Sequence, residues 1–85
     1  MKLTVLYFAR LREALARERE ELEVPASVTT VAELRAWLAS RGEPFSEAFG
    51  AIRRVRAAVD RTMAQEDTRL RDGAEVAFFP PVTGG

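Results

Sequence analysis

The sequence predicts an α+β domain, a mixed sheet with helices packed on one face. Three observations predict it. The hydrophobic period switches between two and three-to-four in the order strand, helix, strand, helix, then two strands. The first and last strands are the most hydrophobic runs of the chain, which places them side by side at the centre of the sheet. Finally, 85 residues with 47% apolar content suffice for one core and leave no room for a second domain.

Residues 2–9, KLTVLYFA, are rich in β-branched and aromatic side chains and read as the first strand. A period of two puts Leu3, Val5 and Tyr7 on one face and Thr4, Leu6 and Phe8 on the other. RLREALARERE, residues 10–20, turns helical: Leu11 and Leu15 share a face, and Glu13 precedes Arg17 by four in the favourable ion-pair order. EELEVPA, residues 20–26, returns to alternation with Leu22 and Val24 inward, and Pro25 marks an edge or a strand end. In TTVAELRAWLASRG, Thr30 and Glu33 form a capping box and Val31, Leu34 and Leu38 form the buried face. Gly42 supplies a left-handed stop. EPFSEAFG is a loop or short helical turn whose Phe45 and Phe49 plug the core. RVRAAVDRTMA alternates as one strand with Val55, Ala57 and Val59 on one face. An Asp72–Gly73 turn then leads to the last strand, AEVAFFPP. If the first and last strands are parallel, the tail leaves from the end of the middle strand, and the layout is the β-grasp, or ubiquitin-like, one.

The missing residue types narrow the chemistry. The chain has no Cys and no His, hence no thiolate, imidazole base or disulfide, and no zinc site is expected. Ser27, Ser40 and Ser46 have no histidine to activate them, which excludes a hydrolytic triad within the chain. Lys plus Arg equals Asp plus Glu at 13 each, so the surplus of cations that binds nucleic acid is absent. The opening apolar run, LTVLYFA, is far shorter than the ~20 residues that span a bilayer and is unlike a secretory signal. The expectation is a cytoplasmic protein without nucleic-acid or membrane partners. Twelve arginines against one lysine, Lys2, hint at a heat-adapted or GC-rich source.

The chain closes on FFPPVTGG, residues 78–85. Pro80 and Pro81 fix φ near −65° and lack an N–H, and the residue before each is held extended, so the chain cannot rejoin the sheet or form a helix there. The expectation is a folded domain over residues 1–79 and an extended arm over 80–85, able to reach about 20 Å at roughly 3.3 to 3.6 Å per residue. Val82 and Thr83 favour extension, and Gly84 and Gly85, without a Cβ, let backbone pass a narrow slot. A terminal carboxylate is ionised at neutral pH and is a poor electrophile. Transfer of AMP to it by a partner would create a leaving group. Sulfide would then give a thiocarboxylate, and an amine would give a protein conjugate. Chance supplies two terminal glycines in about 0.5% of chains, and fewer still behind Pro-Pro.

The strand running into FARLRE (residues 8–13), the DGAEVAFFPPVTGG ending (residues 72–85) and the length resemble the small subunit of molybdopterin synthase, over the whole chain. The resemblance implies a β-grasp sulfur carrier that is not catalytic alone and binds no cofactor. Gly85 would be adenylated by an ATP-using, ubiquitin-activating-type adenylyltransferase and become a thiocarboxylate, with Gly84 as the slot-fitting residue. Pro80, Pro81, Val82 and Thr83 would enter the large synthase subunit, in a heterotetramer, where sulfur passes to a cyclic pterin phosphate to build the dithiolene of the molybdenum cofactor. Phe8, Arg12 and Phe79 are the implied docking contacts, and strand parity agrees, placing both aromatics away from the core. The bland alternative is that Phe8 and Phe79 cap a small cluster under the first helix. RRVR, residues 53–56, reads as a solvated face. The family commonly has Asn where this chain has Asp60, a change that touches only a local turn. Two other readings share the fold: a thiamine-type sulfur carrier, usually shorter and without FFPPVTGG, and a ubiquitin-like protein modifier.

Overall fold

The computed structural model describes residues 1–51 and 55–81. In chain order its elements are β1 (Lys2–Tyr7), α1 (Ala9–Leu15), β2 (Arg19–Glu23), α2 (Val31–Ala39), α3 (Phe45–Ala51), β3 (Arg56–Val59), β4 (Thr62–Met63) and β5 (Glu75–Phe79). The strands form one sheet in the order β2-β1-β5-β3-β4. β1 and β5 are parallel, with Val5 opposite Val76 and Tyr7 opposite Phe78. The other pairings are antiparallel. β5 is therefore the middle strand, flanked by β1 and β3, as the hydrophobicity of the two terminal runs required.

Alternation decides which face is buried. Leu3, Val5, Tyr7, Ala57, Val76 and Phe78 point into the core, where they meet Leu11 and Leu15 of α1, Leu34 and Leu38 of α2, and Phe45 and Phe49 of α3. Phe49 meets Phe78 edge-on at 5.6 Å between ring centroids, and Tyr7 meets Phe45 at 6.4 Å. Both distances suit the quadrupoles of aromatic rings. The predicted plug from Phe45 and Phe49 is real, and its frame is a helix of two turns rather than a loop. The Thr30–Glu33 capping box is present, and Glu33 also accepts from Thr29. These hydrogen bonds, the Thr29 hydroxyl first among them, hold the Glu33 carboxyl below its ordinary range.

Four boundaries differ from the sequence expectation. β1 stops at Tyr7 because Phe8 caps α1, its carbonyl accepting from the Leu11 and Arg12 N–H groups, while Ala9 takes φ +52°. α1 ends at Leu15 because Ala16 turns left-handed, and the anticipated Glu13–Arg17 pair gives way to Arg17–Glu20 at 2.8 Å. Gly42 is left-handed at φ +89° but lies two residues beyond the α2 cap, Ser40. RVRAAVDRTMA is a hairpin, not one strand: Val59 pairs with Thr62 around Asp60 and Arg61, both at positive φ. Positive φ at both central positions defines the turn that matches strand twist. Asp60 serves it well and adds a clamp, its N–H donating to the Glu75 carbonyl and its Oδ1 accepting from the Glu75 N–H at 2.9 Å. An Asn oxygen could accept the same bond.

Candidate functional site

All three helices lie on one side of the sheet, so the residues of opposite parity form an open outer face. One row crosses all five strands: Arg19 is opposite Leu6, Leu6 opposite Ala77, Ala77 opposite Ala58, and Ala58 opposite Met63. The next row toward the end of β5 holds Phe79 opposite Arg56. Phe8 follows β1 at the same level, its N–H donating to the Phe78 carbonyl at 3.1 Å. Phe8 is 46% exposed and Met63 54%, the large apolar side chains left most open among the described residues. An open apolar face on a small domain is a candidate contact surface.

The structure sorts the predicted site residues into three groups. Phe8 and Phe79 lie at the same end of the outer face, outside the main core cluster. Arg12 is exposed on α1, four residues after Phe8, with Glu18 at 3.9 Å. Pro80 and Pro81, half-buried, continue directly from β5. Val82, Thr83, Gly84 and Gly85 lie outside the described residues, as do Arg53 and Arg54 of the RRVR stretch.

Sequence reasoning missed two features. Ala58, Arg56 and Met63 belong to the outer face. Parity already implied the first two, since Ala57 points inward, whereas Met63 arrives only through the hairpin. The second feature is a polar cluster on the helix side at the β2 edge. Glu20 accepts from the Tyr7 hydroxyl at 2.7 Å, from Arg17 at 2.8 Å and from Arg41 at 2.9 Å. Both guanidiniums also lie over the Phe45 ring. Burial pushes the Glu20 carboxyl upward, but the hydrogen bonds from Arg41, Tyr7 and Arg17 outweigh it and hold the group below its usual range. Burial, reinforced by Glu20, pushes the Tyr7 phenol far above its ordinary value. The cluster ties β1, β2, the end of α2 and α3 together. Every member has a partner and faces away from the apolar outer face, so its role is to hold the body of the domain.

Among the described residues, no three acidic side chains are grouped to hold a metal ion, and no helix is long and apolar enough to cross a membrane. They also contain no thiol or imidazole. What they offer is a surface: an apolar face with Arg19 and Arg56 in its rows, and a middle strand that leads into Pro80 and Pro81.

A mixed sheet with the last strand in the middle, helices on one side and an open apolar face on the other defines a ubiquitin-like β-grasp protein. Within that class the chain belongs to the ThiS family, whose family model matches residues 5–85. It is 41% identical over 83 residues to the molybdopterin synthase sulfur carrier subunit of Escherichia coli, covering 98% of this chain and 99% of that protein. A candidate molybdopterin converting factor subunit 1 from Pyrococcus furiosus shares the structure with a TM-score of 0.70 at 26% identity, over 96% of this chain and 99% of that one. The same fold occurs in a complex of subunits 1 and 2 of the molybdopterin-converting factor from Helicobacter pylori, with a TM-score of 0.65 at 22% identity and full coverage of both chains.

Proposed function

We propose that this chain is the sulfur carrier of a molybdopterin synthase, with residues 1–79 as the docking body and residues 80–85 as the working arm. The observation that carries the reading is the 41% identity, along nearly the whole of both chains, to a protein that bears that role in its name. The architecture is consistent with it. The sequence has no Cys and no His, and the middle strand leads to the arm beside the exposed Phe8 and half-buried Phe79.

The chemistry then proceeds inside partners. The Gly85 carboxylate oxygen attacks the α-phosphorus of ATP held by an adenylyltransferase of the ubiquitin-activating type, and pyrophosphate leaves. Sulfide attacks the resulting acyl carbon and AMP leaves, which gives the thiocarboxylate. In the large synthase subunit the thiocarboxylate sulfur attacks a side-chain carbon of the cyclic pterin phosphate, and the oxygen substituent on that carbon leaves as water or phosphate. Water then cleaves the acyl–sulfur bond, so that the sulfur stays on the pterin and the arm regains its carboxylate. Gly84 keeps the end of the arm slim enough for both active sites. Pro80, Pro81, Val82 and Thr83 hold it extended, and Phe8, Arg12 and Phe79 dock the body. A complex of subunits 1 and 2 in the Helicobacter pylori protein supports a two-subunit assembly; a heterotetramer in the cytoplasm is the form proposed here.

The test is a change at the end of the arm. Deleting Gly85, or appending one residue to it, should abolish sulfur transfer while leaving the melting temperature unchanged, because the described core lies within residues 3–78. Normal synthase turnover with the extended variant would overturn the reading.

A further inference from the structure

The outer face carries its charge in a graded order along the strands. Two rows back from the arm's own, Thr4 stands between Glu21 on β2 and Glu75 on β5, and beyond it Lys2 stands opposite Glu23. The middle row is apolar at its centre, Leu6 and Ala77, with Arg19 at its β2 end. In the row beside the arm, Phe79 stands opposite Arg56. Acid thus gives way to apolar surface, and apolar surface to an aromatic with a guanidinium, in the direction the arm leaves. Two neighbouring arginines are already partly neutralised, Arg19 by Glu21 at 3.6 Å and Arg12 by Glu18 at 3.9 Å. Arg56 is exposed and pairs with no carboxylate among the described residues. Lys2, Arg10, Arg61, Arg69 and Arg71 likewise form no ion pair among the described residues; Arg56 is set apart by its place, directly across from Phe79 in the row beside the arm.

We propose that Arg56 orients and accelerates docking by facing carboxylates on the partner's surface, at the mouth that receives the arm. This rests on the reading of the chain as a carrier whose arm enters a large subunit. The end of the arm is anionic, so the slot that holds it is cationic, while the rim beneath Arg56 is acidic. An arm reaching about 20 Å separates the two sites by more than the Debye length of about 8 Å at physiological salt. Each end is therefore recognised by its own sign, and a reversed approach sets like charges against each other at both. The partner surface that fits is an apolar patch edged by Asp or Glu on the side of the mouth. Complementary charge of this kind acts mainly on the association rate.

The experiment measures association of the full-length chain with the large synthase subunit of the same organism, for wild type, Arg56→Gln and Arg56→Glu. It is run at ionic strengths of about 0.01 M and about 1 M, where the Debye lengths are about 30 Å and about 3 Å. At low salt Arg56→Glu should lower the association rate about tenfold, with Arg56→Gln between it and wild type, and at high salt the three rates should converge. All three should melt within about 4 °C of one another, since an exposed change away from buried networks is nearly neutral. Equal rates at low salt would overturn the inference while leaving the docking reading intact. An equal slowing at both salts would assign Arg56 a packing role and also overturn it. If the chain alone sediments as a salt-sensitive dimer that Arg56→Glu abolishes, the occupant is a second copy and the assignment fails. Absence of any binding by wild type would remove both the inference and the reading beneath it.

Discussion

Phe78 and Phe79 are neighbours in sequence with opposite expected roles, and substituting each in turn separates docking from folding. Phe78 is fully buried, and its ring meets Phe49 edge-on at 5.6 Å. Phe78→Ala removes that ring and leaves a cavity, at a cost of about 3 to 5 kcal/mol. Phe79 is half-buried on the outer face opposite Arg56. Phe79→Arg forfeits part of the burial of one ring and places two guanidiniums directly across a strand pair, which together cost about 1 to 2 kcal/mol. For a domain of this size each kcal/mol moves Tm by about 4 to 8 °C. Phe79→Arg should therefore lower Tm by about 10 °C, and Phe78→Ala by about 25 °C. Binding should rank the other way. Loss of an aromatic anchor at the centre of an interface costs about 2 kcal/mol or more, roughly a 30-fold rise in Kd for the large subunit. Thermal melts monitored by circular dichroism and titration calorimetry below the melting range give both numbers. The reasoning is refuted if Phe79→Arg melts as badly as Phe78→Ala while its folded fraction binds like wild type, because Phe79 would then belong to the core.

Two further outcomes follow from the hairpin and the polar cluster. Asp60→Asn should keep wild-type stability, because the side-chain oxygen can still accept from the Glu75 N–H, whereas Asp60→Ala should lose about 1 to 2 kcal/mol in urea denaturation; equal losses would remove the clamp from the account. Glu20, held below its usual range, contributes stability that is fully present above the unfolded-state pKa and is lost as pH falls through the lower folded value. The unfolding free energy should therefore fall more steeply on acidification in wild type than in Glu20→Gln, and parallel acid profiles would contradict the ion cluster.

Most of the framework was legible because alternation and periodicity report burial directly. Leu3, Val5 and Tyr7 on one face of β1, and Leu34 with Leu38 on α2, follow from spacing alone, since one side of each element had to be apolar. The central parallel pair was legible because β1 and β5 are the strands richest in apolar residues, and a middle strand has neighbours on both edges. The hairpin at Asp60–Arg61 was not. Arg is an unusual residue for positive φ, and the turn is imposed by pairing with β5 rather than by its own chemistry. Nor was the Glu20 cluster legible. Arg17 lies near it in sequence, but Tyr7 and Arg41 reach it only through the fold. For the candidate site, Phe8 and Phe79 were legible from parity. Met63 was not, because its place on the outer face depends on the chain reversing at the hairpin.

Sulfur carried at Gly85 would show in the intact mass of the protein. After incubation of the purified chain with the activating enzyme, ATP and sulfide, a single species should appear, heavier by one sulfur in place of one oxygen. Addition of the large subunit and the cyclic pterin phosphate should return it to the starting mass. Stable higher-mass protein adducts without any thiocarboxylate would contradict the carrier role and identify a protein modifier instead.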